Sequence, residues 1–474
     1  MDHRLTRLIA VASSSVLVLT ILAAAPAAVR AGETAYIGDG TGGGECDTPD
    51  YTTNGSADDV EFEIAVAEED GDIDNTLYVC PGTYDITGDI DVEGALTIES
   101  VAGAAATVLD SDGTSRIFTL YGDVIVRGLT FKDGGSNSGS VRGGAISTNS
   151  DLTVEDSVFL NNKASDEGGA VYVGTDELII RRSTFTGNSA DSSGGAVYAN
   201  GNIDLILDSV FVDNEAGYDG GAVHTYLYFD DDNEDGQSGV IGSSFSGNTA
   251  GDDGGAVYID RDLREEAVIS ENEFTNNEAG DEGGAVHVGS DAYGPINNNV
   301  FTGNTAEYGG AVWVDDEWYT VSGNKFTRNA ALYGGAMNLR DTQAESILTR
   351  NQFRSNTATY QGGALVLDDH EGDSESQLAL ISGNSFRGNR AGGDGGGIYL
   401  EFGFTVAPEN LTRNSFRSNR AGVGGAIALY SCETGEVSNR QAARAFKKNK
   451  FASNRATESR RTKNVGSIHG CGDL

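Results

Sequence analysis

Phe185-Thr186-Gly187-Asn188-Ser189-Ala190, followed at Gly194-Gly195-Ala196-Val197 by a glycine pair, an alanine and a β-branched residue, is one copy of a unit that fills most of this chain. Phe301-Thr302-Gly303-Asn304-Thr305-Ala306, followed by Gly309-Gly310-Ala311-Val312, is another. The second glycine of each pair falls at 144, 169, 195, 221, 255, 284, 310, 335, 363, 396 and 425, in steps of 25 to 34 residues. A period of this size marks a solenoid, in which each repeat buries its apolar side against its neighbours. Helical repeats of similar length need long runs of Ala, Leu, Glu and Lys. Here the segments between glycines are short, β-branched and rich in Asn, Ser, Thr and Asp, which disfavours helix. The pattern therefore reads as an all-β chain, a parallel β-helix with one repeat per coil and coils about 4.8 Å apart.

Alternation along Val197-Tyr198-Ala199 puts Val197 and Ala199 on one face and Tyr198 on the other. In that register Val171, Val197, Val223, Val257, Val286, Val312, Leu365, Ile398 and Ile427 stack inside. The phenylalanines, from Phe159 to Phe416, form a second internal ladder. The Asn of each Phe-x-x-Asn is expected at a turn, in the left-handed region it tolerates, with its amide bonded to the equivalent Asn one coil away. The glycine pair allows a bend that a Cβ would forbid. From Phe159 onward the Phe-to-Gly-Gly half varies by only one residue. Insertions fall between the Gly-Gly strand and the next Phe, near residues 230–239, 261–267, 368–377 and 401–409, which maps them to one side of the coil.

This pairing of Gly-Gly-Ala-aliphatic with Phe-x-x-Asn resembles the polymorphic outer membrane protein repeat family, first associated with chlamydial surface proteins. The resemblance runs from about Phe131 to Asn454. It implies a right-handed β-helix and a secreted or surface-exposed, adhesin-like protein, including one associated with a cell outer membrane.

Residues 1–31 read as a secretory signal: Arg4 and Arg7 precede an apolar run from Leu8 to Ala28, and Val29-Arg30-Ala31 offers small residues for cleavage; the alternative is an uncleaved anchor, against which Ser13, Ser14, Ser15 and the Ala-rich end argue. Later segments include none that could span a membrane as an apolar helix. The four cysteines allow three pairings. Cys46–Cys80 and Cys432–Cys471 are favoured, because the two ends of a long coil lie far apart, and each bridge would then staple a cap. Between the first pair, Asp58 to Glu69 reads as a short amphipathic helix with Val60, Ile64 and Ala67 on one face. The expected organisation is a signal at 1–31, an N-terminal cap with disulfide and helix at 32–86, the β-helix at 87–456 and a C-terminal cap at 457–474. The first coil should open along Leu77–Tyr84.

The formal charge is −41, with 72 Asp and Glu against 31 Lys and Arg. Such a surface repels nucleic acid and anionic membranes. Residues 380–474 are the exception, with 14 Lys and Arg against 7 Asp and Glu. That basic end, including Arg440, Arg444, Lys447 and Lys448, reads as an ordinary solvated cap or a contact for an anionic wall polymer.

Three candidate sites follow. One position after each inward valine, successive coils place Tyr172, Tyr198, His224, Tyr258, His287 and Trp313, and later Tyr399. Neighbouring aromatics stabilise a sheet by about 0.2–1 kcal/mol per pair. A solvent-facing row of such rings would also stack on sugars. Asp231, Asn233 and Asp235, ahead of Gly236, match the start of an Asp-x-Asn-x-Asp-Gly loop suited to Ca2+, while Gly242 stands where an EF-hand would place its bidentate Glu. Asp260, Asp315, Arg340, Asp368 and Glu401 share one strand-end position. There Asp315 and Asp368 could hold calcium while Arg340 takes a proton from a sugar acid, as in β-helix polysaccharide lyases. His224 and His287 are the other candidate acid–base groups.

The function expected from the sequence is a monomeric, non-catalytic surface or matrix adhesin contacting polysaccharide or cell-surface glycan, needing no cofactor unless calcium fills the acidic loop. A calcium-dependent polysaccharide lyase or hydrolase is the first alternative. A purely structural surface-layer component is the second.

Overall fold

The computed structural model describes residues 76–458, apart from short segments at 136–140, 227–238, 261–267, 291–293, 316–318, 341–345, 369–377, 402–409 and 432–445, together with 463–469, Cys46 and strand segments ahead of residue 76. One coil shows how the repeat closes. Thr184–Thr186 carries the Phe, Ser189–Ala190 is a two-residue strand, and Val197–Leu207 follows the glycine pair across two faces. Val210–Val212 then opens the next coil on top of Thr184–Thr186. The Phe strands form a 14-stranded sheet running from Gly82–Asp85 to Lys450–Ala452. From Thr76 onward the inter-coil pairings among the described residues are parallel, and in register except for shifts at Leu178–Ile179, between Ala199 and Asn202, and at Ser346–Ile347.

The core is the pair of ladders that the repeat implies. Phe159 and Phe185 stack with centroids 4.6 Å apart and planes 2° from parallel. This contact recurs on every coil from Phe131 to Phe416 because the strand spacing matches the thickness of a ring pair. Phe118 closes the lower end edge-on and Phe451 extends the upper end. The inward residues from Val171 to Ile427 are fully buried opposite, with Met337 in the coil between Val312 and Leu365.

The asparagines are buried and bonded from coil to coil. Asn188 Oδ1 accepts from the backbone N–H of Asn162 at 3.0 Å and from its Nδ2 at 2.9 Å, while Asn188 Nδ2 donates to the Phe159 carbonyl at 3.2 Å. Backbone groups turning into the core are satisfied there without water. The left-handed conformation expected at these asparagines falls instead on the residue before each: Asn161, Gly187, Asp213, Asn276 and Arg328 have φ between 52° and 65°. The turn residue points out, so its successor can point in. A second ladder of the same kind precedes the Phe. It is built of serine at 157, 183, 209 and 243, then of asparagine from Asn272 to Asn449. In the glycine pair, Gly194 has φ 69° and a Cβ on Gly195 would overlap the Gly221 carbonyl oxygen.

The expected N-terminal helix is corrected. Phe62–Ala67 is a strand, parallel to Ile90–Glu93. Phe62, Ile64 and Val66 alternate with period two, and a strand satisfies the open edge of the first coil where a helix could only cover it. Cys46 and Cys80 are disulfide-bonded, with Cα atoms 5.8 Å apart. Parallel pairing begins before residue 87, at Thr76–Val79 and Gly82–Asp85, and continues beyond residue 456 at Val465–His469, which lies on Ile427–Ser431. Cys432 and Cys471 lie outside the described residues.

Candidate functional site

The aromatic positions align in the expected register, but they do not face solvent. Tyr172, Tyr198, His224, His287 and Trp313 are 2–8% exposed, and Tyr258 is partly buried. Rings one strand spacing apart stack on each other: Tyr198 and His224 at 4.7 Å, His224 and Tyr258 at 4.8 Å, Tyr258 and His287 at 4.6 Å. Both faces are thus taken by neighbours, and none is left for a sugar. Residues directly ahead of two of the glycine pairs add to this cover. Arg142 lies over Tyr172, and Tyr308 meets Trp313 edge-on. Arg340, from the strand beside Trp313, covers that ring. Burial pulls His224 and His287 down to about 3, so both imidazoles are neutral and neither serves as a proton donor near pH 7.

A ladder of carboxylates flanks the stripe. Asp219, Asp253 and Glu282 each precede a Gly-Gly pair, and each donates its backbone N–H or accepts one along the stack: Glu282 N–H reaches Asp253 Oδ1 at 2.9 Å, and Asp253 N–H reaches Asp219 Oδ1 at 3.4 Å. Burial raises all three, to about 6 for Asp219, about 7 for Asp253 and about 8 for Glu282, with neighbouring carboxylates adding to the rise. Asp253 and Glu282 approach His287 Nδ1.

Asp315, Arg340 and Asp368 are brought together, on directly paired positions of three adjacent strands. The geometry does not suit the proton-abstracting role. Arg340 grips Asp315 through Nε, at 2.6 Å, and through Nη2. A guanidinium held in this fork stays protonated and cannot act as a base. Glu401 sits beside Asp368, and burial together with that carboxylate lifts Glu401 well above its ordinary range. Asp231, Asn233 and Asp235 lie outside the described residues.

The structure adds an aromatic group that the valine register did not reveal. Tyr308 and Tyr333 stack at 5.1 Å, and Tyr360 continues the stack tilted by 36° with centroids 5.2 Å apart. Tyr360 is 48% exposed. In the next coil the pairing residue is Gly393, whose N–H donates to the Tyr360 carbonyl, so that coil adds no further ring to the stack. The signal was present as Tyr308 and Tyr333, each directly ahead of a Gly-Gly pair.

Stacked in-register coils with internal Phe and Asn ladders define the class: a parallel β-solenoid. Within it, residues 232–442 match the family model for a right handed beta helix region, and residues 156–174 and 182–200 match the Chlamydia polymorphic membrane protein repeat. The chain therefore carries the repeat whose marks it displays at Phe159 and Phe185. Comparison with curated proteins and with solved structures gave no match. Among the described residues no helix is long and apolar enough to cross a membrane, which says nothing of a β-barrel.

Proposed function

We propose that this is an exported, surface-displayed β-helix that binds extracellular polymer, glycan in the first instance, without transforming it. The repeat of a membrane-protein family on a right-handed β-helix supports surface display. In this reading residues 1–31 are the export signal and the Cys46–Cys80 bridge belongs to an oxidising compartment. The observation that carries binding is the open end of the Tyr308–Tyr333–Tyr360 stack, where a half-exposed ring lies beside a coil that presents glycine. Tyrosine offers a sugar both an apolar face and a hydroxyl. This site replaces the buried stripe as the place of contact.

The test is retention of the purified protein on immobilised acidic and neutral polysaccharides. Tyr360→Ala should lower retention while the circular dichroism of the coil is unchanged. Retention equal to that of the parent on every polymer would remove the tyrosine stack from the account.

A further inference from the structure

Asp253, Glu282 and His287 meet although no sequence motif joins them. Asp253 and Glu282 come from consecutive coils, each ahead of a glycine pair, and His287 lies on the strand that Glu282 leads into. His287 Nδ1 is 3.5 Å from Glu282 Oε2 and 3.7 Å from Asp253 Oδ2, and the three ligand atoms all lie within 4.8 Å of one another. A tetrahedral ion with bonds of roughly 2.0–2.2 Å holds its ligand atoms roughly 3.3–3.6 Å apart. The two separations from His287 Nδ1 already lie at or just beyond that range, and the two carboxylate oxygens lie within 4.8 Å of each other. They are too far apart for the hydrogen bonds that would otherwise explain their approach.

The imidazole supplies an independent observation. His287 is 5% exposed, and Nδ1 has no hydrogen-bond partner although it is buried and aimed between the two carboxylates. As the Nε2–H tautomer it presents a lone pair to two groups that, when ionised, can only accept. A buried acceptor facing two ionised carboxylates is unfavourable by itself, and a shared cation relieves it in place of the proton that burial otherwise keeps on Glu282. The nearest guanidinium, Arg340, is engaged by Asp315, which offsets its charge.

We propose that Asp253, Glu282 and His287 form a divalent-metal site. One nitrogen and two oxygens suit a borderline ion such as Zn2+, with Co2+ or Mn2+ as relatives. Calcium takes six to eight oxygens and is disfavoured here. The ion fastens two successive coils at the place where carboxylates of like charge stack, so its role is structural. A water would complete the coordination from the partly exposed side of Asp253 and Glu282.

The full mature chain, freed of metal with chelator and free of any purification tag, is titrated calorimetrically with Zn2+ and, separately, with Ca2+. One equivalent of Zn2+ is expected, with a rise in melting temperature that Ca2+ does not reproduce. His287→Phe keeps the buried ring stack and should abolish that equivalent; Glu282→Gln should do the same without touching the core. Zn2+ bound at one equivalent by either folded variant as tightly as by the parent overturns the proposal, as does absence of stoichiometric Zn2+ binding by the parent. Should a variant fail to fold, X-ray absorption at the zinc edge of the parent decides. One imidazole among oxygen ligands is expected, and a shell without imidazole overturns the site.

Discussion

Replacing Asn304 by Ala tests the source of the coil's cohesion. Asn304 Oδ1 accepts from the Asn277 backbone N–H at 2.9 Å and from Asn277 Nδ2 at 3.0 Å. Its Nδ2 donates to the Phe274 carbonyl and to Asn329 Oδ1, both at 3.1 Å. Alanine removes all four bonds. Asn277 Nδ2 keeps the Phe245 carbonyl, and Asn329 Oδ1 keeps the residue 304 backbone N–H, but the Asn277 amide is left buried with no acceptor. An orphaned buried donor costs about 1–3 kcal/mol, and each of the three other lost bonds about 0.5–1.5 kcal/mol, so the substitution should cost about 2.5–7.5 kcal/mol. In a solenoid the loss concentrates in the two or three coils that share the bond. The assay is hydrogen exchange read residue by residue. The Asn277 amide should exchange at least roughly a hundredfold faster, since each 1.4 kcal/mol is about tenfold. Acceleration below about tenfold at Asn277, with the global melt unmoved, would refute the reasoning.

Trp313→Ala should lower stability by about 3–5 kcal/mol in a denaturant melt, because a ring 2% exposed is removed from under Arg340; a loss below about 1 kcal/mol would mean that the stripe is not packed. Glu401 is lifted by burial and by Asp368 from 4.5 to about 8, so it binds its proton more tightly folded than unfolded. Its contribution is therefore full below about pH 4.5 and is lost as pH rises through about 8, and Glu401→Gln should flatten that decline in melts taken from pH 4 to 9. The Cys46–Cys80 bridge closes a sequence separation of 34 residues, and chain entropy puts its removal by Cys46→Ser at about 3–4 kcal/mol, seen as earlier exchange of the first coils.

The repeat was legible because its residues answer to a single physical requirement. Phe185 stacks on the phenylalanines before and after it, and Asn188 bonds to its own equivalents, so a regular spacing in sequence becomes a regular spacing in space. What lay outside that spacing was harder to read. Burial of Tyr198 and Trp313 depends on their own stacking and on residues from other parts of the coil, such as Tyr308 and Arg340, and alternation within one strand carries no information about those. The segment around Ile64 offers both a three-to-four and a two-residue apolar spacing. The open edge of the Ile90–Glu93 strand decides for the second. The left-handed turn was placed one residue late because Asn tolerates that conformation wherever it stands, whereas the buried ladder requires Asn to point inward. The approach of Asp253 to His287 joins residues 34 apart, a distance set by the length of one particular coil.

The most direct test of a binding rather than catalytic β-helix is to incubate the mature protein with acidic and neutral polysaccharides, with calcium or with chelator, and follow polymer size by chromatography. The account predicts that the polymer which retains the protein keeps its full length in both conditions. Progressive shortening would contradict it and make Asp315, Asp368 and their neighbours the place to look for the chemistry.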